Sequence, residues 1–78
     1  MPTFLDVHPM KGTSEEKLKQ LQTSPKDEFG VTYINILFNP EADKVFCIID
    51  APNEGSVQKH HSRFGIKCEW IIEVKTTA

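Results

Sequence analysis

The chain has 78 residues, with nine Lys and Arg against eleven Asp and Glu for a formal net charge of −2. A chain this short is one domain, residues 1–78, with a thin core, because folding at this size buries only about 60–65% of the surface the unfolded chain exposes. With no basic run to grip a phosphate backbone, no charged and apolar leader, and no segment near the ~20 apolar residues of a membrane span, we expect a cytoplasmic protein with neither nucleic acid nor membrane as partner.

Thr3 to His8 reads as a strand closed by Pro9. In "TSEEKLKQLQ", Thr13 as N-cap and Glu16 three residues later predict a capped helix, with Leu18 and Leu21 as its apolar stripe. Ser24 and Pro25 then predict a further helical turn, ended at Gly30. "VTYINILFN" and "DKVFCIIDAP" are β-branched and aromatic, and the loop between Asn39 and Asp43 makes them a hairpin. Asn53 caps a second helix over "EGSVQKHHSRF", Gly65 stops it, and "CEWIIEVK" is the last strand.

Strand, helix, strand, strand, helix, strand, joined by right-handed connections, predicts the ferredoxin-like βαββαβ sandwich: an α+β fold whose four-stranded antiparallel sheet carries both helices on one face. Strand alternation, with Phe38 paired to Val45, assigns Ile34, Ile36, Phe38, Val45, Cys47 and Ile49 to the helix side, joined by Leu5, Val7, Trp70, Ile72 and Val74. The open face then carries Phe4, Asp6, His8, Tyr33, Asn35, Leu37, Phe46, Ile48, Asp50, Glu69, Ile71 and Glu73. Its apolar members predict a homodimer packed sheet to sheet, with Tyr33, Asn35, Glu73, Phe46 and Phe4 as ligand or interface residues. Cys47 and Cys68 lack the spacing of a disulfide scaffold or a C-x-x-C site, so both are expected as free thiols, packed as small hydrophobes.

His8, His60 and His61 are the groups that titrate near neutrality. The topology brings them toward one end of the molecule. Adjacent helical residues point about 100° apart, so His60 and His61 do not chelate as a pair. Imidazole with carboxylate suits a divalent transition metal. Asp6 and His8 on one strand face, with His60 or His61, give the candidate set, in which His60 is the favoured histidine.

"MPTFLDVH", "FGVTY", "KVFCIIDAP" and the late "EV" also resemble the small ferredoxin-like family that includes an actinobacterial nickel-binding protein. The resemblance covers nearly the whole chain. It implies a dimeric sandwich binding Ni²⁺ or another divalent transition metal, with a role in metal response or sequestration. It sets His8 on the family's first-strand histidine, Asp50 on the acidic position before Ala-Pro, and His60 on a histidine five residues before Gly65. Phe64 stands where the family often has a further histidine, for which His61 would substitute. The competing expectation is a small dimeric α/β-barrel-type enzyme or ligand-binding protein with His60 or His8 as general base. An RNA-binding sheet lacks the stacking aromatics flanked by Lys or Arg that it needs, and a purely structural module using its sheet as glue is the remaining alternative.

Overall fold

The computed structural model describes residues 1–77. Four strands, β1 (Thr3–His8), β2 (Thr32–Asn39), β3 (Lys44–Asp50) and β4 (Trp70–Val74), alternate with α1 (Glu15–Gln22) after β1 and α2 (Glu54–Ser62) after β3. The strands lie in the order β2-β3-β1-β4 with every neighbouring pair antiparallel. This is the ferredoxin-like α+β fold. Leu18 of α1 and Val57 of α2 pack against Phe4, Ile36, Val45, Cys47 and Ile49 of the sheet to make the core.

Local chemistry sets the ends of the helices. Ser14, not Thr13, caps α1: its backbone is extended and its side chain accepts the Lys17 N–H at 3.2 Å. The further turn expected at Pro25 is absent. Ser24 instead donates its hydroxyl back to the Gln20 carbonyl, and Asp27 Oδ1 accepts the N–H groups of Phe29 and Val31 at 3.0 and 2.9 Å, folding that segment as an Asx turn. Asn53 caps α2 by accepting the Ser56 N–H at 2.9 Å. At the hairpin tip Asp43 takes a left-handed backbone with φ of 54°, and its carboxylate accepts the N–H groups of Met10 and Lys11 just beyond β1.

The register reverses the expected faces of β1 and β4. Phe4, Asp6 and His8 stand opposite Ile49, Cys47 and Val45, and Phe4 and Asp6 stand opposite Glu73 and Ile71. These residues therefore point toward the helices. Leu5, Val7, Trp70 and Ile72 join Phe46 and Ile48 on the open face, where Trp70 is 44% and Ile72 49% exposed. Apolar alternation misleads here because the inward positions of β1 hold buried polar side chains. In β2 an extra residue, Ile34, sits between the pairs Tyr33–Ile49 and Asn35–Ile48, so Tyr33 faces inward with Ile36 while Asn35 and Leu37 face out. Phe4 and Tyr33 are thus not open-face residues. Phe46 and Asn35 are.

Gly12 and Gly30 both have φ of +80°, but a Cβ on Gly30 would lie 3.0 Å from Cγ of Pro52, whereas one on Gly12 would meet nothing within 4 Å. Gly12→Ala should therefore cost only the left-handed strain of about 1–2 kcal/mol. Gly30→Ala should cost more, read as the larger drop in urea midpoint at unchanged m-value; equal midpoints would refute the role assigned to Pro52.

Candidate metal centre

Alternation on β1 points Asp6 and His8 inward together, and the β1–β3 register sets Cys47 opposite Asp6. α2 lies over them and lowers His61 from its last turn. One carboxylate, two imidazoles and one thiol result, all buried, with one ligand atom of each within 4.8 Å of the others.

Both imidazoles are oriented by backbone carbonyls. His8 Nδ1 donates to the Pro9 carbonyl and His61 Nδ1 to the Val57 carbonyl, each at 2.9 Å. Nε2 is left as the lone-pair nitrogen on each ring, the tautomer a metal ligand needs. His8 Nε2 lies 3.7 Å from Cys47 Sγ, and His61 Nε2 lies 3.3 Å from Asp6 Oδ1. A tetrahedral ion with bonds of 2.0–2.3 Å separates its ligands by roughly 3.3–3.8 Å, so both spacings suit one shared ion. Asp6 Oδ2 and His61 Nε2 have no hydrogen-bond partner, although both are buried. Such orphans cost about 1–3 kcal/mol each. A cation between them would satisfy both.

Burial also keeps the cluster neutral without an ion. It raises the Asp6 carboxyl to about 7, against the smaller opposing effect of hydrogen bonds from the Cys47 and Cys68 thiols. It lowers His61 to about 4 and lowers His8 as well, and it pushes the Cys47 thiol far up. The Asp6–His61 contact is therefore a neutral pair, not a salt bridge, because both partners are moved by desolvation toward their uncharged forms.

His60 points elsewhere. Its Nδ1 donates to Asp27 Oδ2 at 2.5 Å and its Nε2 accepts the Tyr33 hydroxyl at 2.7 Å, so neither nitrogen is left for a metal. Burial would raise Asp27, but the Val31 N–H, His60 and the Phe29 N–H together hold it below the usual carboxylate range. Phe64 packs edge-on against the His60 ring, with centroids 5.4 Å apart. Of the expected ligands, the fold brings together Asp6, His8 and His61. His60 stands aside as a clasp, and Asp50 lies at the far end of β3, where its carboxylate accepts the Thr3 hydroxyl at 2.8 Å. Tyr33 serves the clasp, Phe4 the core, and Glu73 an exposed position on the outer strand β4. Cys47 is the member of the cluster that the sequence did not reveal, since a cysteine among aliphatic residues reads as a small hydrophobe. The signal was its place opposite Asp6.

Fold and donor set together define a small ferredoxin-like domain with a buried cluster of transition-metal ligand types. Residues 4–74 match the family described as nickel responsive protein SCO4226-like, and the chain belongs to that family. The crystal structure of SCO4226 from Streptomyces coelicolor A3(2) is similar at a TM-score of 0.78 and 28% identity, over 97% of this chain and 99% of that one. No curated protein matches the chain significantly. Among the described residues no helix is long and apolar enough to cross a membrane.

The buried acid and bases set the stability of the metal-free protein. Asp6, raised to about 7, loses stability for the fold as pH climbs from 3.8 through 7. His8 and His61, both lowered, lose it as pH falls below 6.5. Two bases outweigh one acid on the acid side, so thermal stability without metal should rise with pH up to about 7 and level off above it, where neither Asp6 nor the histidines change protonation between the folded and unfolded chain. Asp6→Asn removes the one group that opposes the histidines in that window, so it should steepen the rise of Tm with pH between about 4 and 6.5. An unchanged profile would show that Asp6 is not held neutral.

Proposed function

We propose that this protein binds a divalent transition metal, Ni²⁺ foremost, through Asp6, His8, Cys47 and His61, and acts in metal response or sequestration without catalytic turnover. The observation that carries this reading is the pair of imidazoles whose Nδ1 atoms are committed to backbone carbonyls, while Nε2 of His8 lies beside the Cys47 thiol, Nε2 of His61 lies beside the Asp6 carboxylate, and that nitrogen and the second carboxylate oxygen are buried without a hydrogen-bond partner. The family's description as nickel responsive supports the choice of metal. Two nitrogens, one sulfur and one oxygen also suit Zn²⁺ or Co²⁺, so selection among them falls to geometry and supply. Binding displaces the Cys47 thiol proton and any proton on Asp6, and affinity should rise with pH.

The enzymatic alternative would draw on Asp27, His60 and Tyr33, which form a carboxylate–imidazole–phenol chain. The clefts beside α2 and β4, beside α1 and β2, and between the two helices are lined by none of these residues. A general base needs a substrate within reach, and this arrangement favours a structural clasp.

The open face supports a second element of the proposal, a homodimer packed sheet to sheet. Leu37, Trp70 and Ile72 are 50%, 44% and 49% exposed and share that face with Leu5, Phe46 and Ile48. A thin core gains most from covering such a face. Ile72→Lys should convert the dimer to a monomer in sedimentation; a wild-type monomer at high micromolar concentration would sink this part.

Metal binding is tested by thermal shift on untagged protein. Ni²⁺ at 100 times its Kd should stabilise the wild type by about 2.7 kcal/mol, which is roughly 10–20 °C for a chain of this size. Cys47→Ser and His61→Ala should each lose most of that shift, and Asp50→Asn should keep it. No shift with Ni²⁺, Zn²⁺ or Co²⁺ would end the proposal.

A further inference from the structure

The four side chains of the cluster are buried, so an ion needs a way in, and two clefts among the described residues reach a member of the cluster. On the His8 side a cleft of about 690 Å³ runs between the helices; it is lined by Lys11, Lys17 and Lys67 and by no carboxylate. On the His61 side a cleft of about 730 Å³ lies between α2 and the segment leading through β4, where Glu54 and Glu69 face Lys67 as the one basic residue. Glu69 is also paired with Lys44. A cation is repelled from the first, whereas the carboxylates of the second balance its lysines and leave that way open to it.

Cys68 lies on the wall of that second cleft beside His61. It is half-buried, unlike the enclosed Cys47. Its thiol donates to Asp6 Oδ1 at 3.8 Å, yet its sulfur falls outside the group of four whose ligand atoms lie within 4.8 Å of one another. His61, 2% exposed and with its Nε2 buried and orphaned, belongs both to that group and to the residues lining the cleft. Cleft, thiol, carboxylate and imidazole thus form a continuous path of donors from solvent to the cluster.

We propose that Cys68 is the transfer ligand of this site, taking the ion from water in the cleft and passing it inward through Asp6 and His61. The inference rests on the metal-binding reading above. In the exchange the Cys68 thiol gives its proton to solvent as its sulfur displaces a water from the ion. As the ion moves on, Cys47 releases its proton to join it and the sulfur of Cys68 is reprotonated. The net change is loss of the Cys47 proton and any carried by Asp6, with no change of oxidation state. A relay of this kind lowers the barrier in both directions and leaves the equilibrium alone.

The test is stopped-flow uptake of Ni²⁺ alone by the full chain, followed by thiolate-to-metal absorption, with release measured against an excess of chelator. Cys68→Ser and Cys68→Ala should slow association and dissociation by the same factor, roughly tenfold for one lost barrier-lowering contact, with Kd unchanged. Faster dissociation with a weakened Kd would make Cys68 a resident ligand and overturn the proposal, as would wild-type rates in both variants. A wild type that binds no Ni²⁺ at equilibrium would instead strike the metal-binding reading itself, and the relay with it.

Discussion

Asp6 lies fully buried in the middle strand pair, and the rest of the structure is arranged around keeping it there. A carboxyl group in that position resists ionisation, and one of its oxygens has no partner. The backbone of β1 is fixed on both sides by β3 and β4, so the side chain has no route to solvent. α2 closes over it with two histidines in place of the aliphatic residues that a helix would ordinarily set against a sheet. The fold tolerates this because the aliphatic burden is carried by Val57, Ile49 and Val45 on either side, all wholly buried. What results is a polar cluster of Asp6, His8 and His61 enclosed in a small apolar core.

Much of the architecture was legible in the sequence. The strand at Thr3–His8, the hairpin pairing of Phe38 with Val45 and the Asn53 cap all follow from local chemistry that tertiary packing does not override. The faces of β1 and β4 were not legible. Alternation assumes that polar residues point outward, and in β1 that rule assigns Asp6 and His8 to solvent. They point inward because the register with β3 sets them opposite Cys47 and Val45, while the apolar residues they alternate with cover the other face of the sheet. One residue of excess in β2 had the same effect on Tyr33, since an irregular pairing at Ile34 cannot be read from a run of β-branched residues. Cys47 was hidden by chemistry rather than by pattern, because a cysteine among aliphatics reads as one of them.

The neighbouring histidines illustrate how a helix divides labour. About 100° of rotation separates His60 from His61, enough that one ring meets Asp27 and Tyr33 while the other meets Asp6. The rings still touch edge-on, with centroids 5.3 Å apart. His60 ties α2 to the segment before β2 and to β2 itself, fixing the height of the helix over the sheet. His61 depends on that height for its approach to Asp6. Resemblance to the family falls on His60, while the geometry brings His61 to the cluster; the two are parts of a single device.

Asp43 sits at an exposed hairpin tip, the kind of place where a chain normally tolerates insertion and drift. Its carboxylate nonetheless holds the two N–H groups that follow Pro9, and the Pro9 carbonyl in turn fixes the ring of His8. The tip is thus a distant tether on a buried histidine of the cluster. Lengthening that loop by a single residue would leave the sheet intact and release the histidine beneath it, so relatives that keep the site should keep the length of a loop that touches nothing in it.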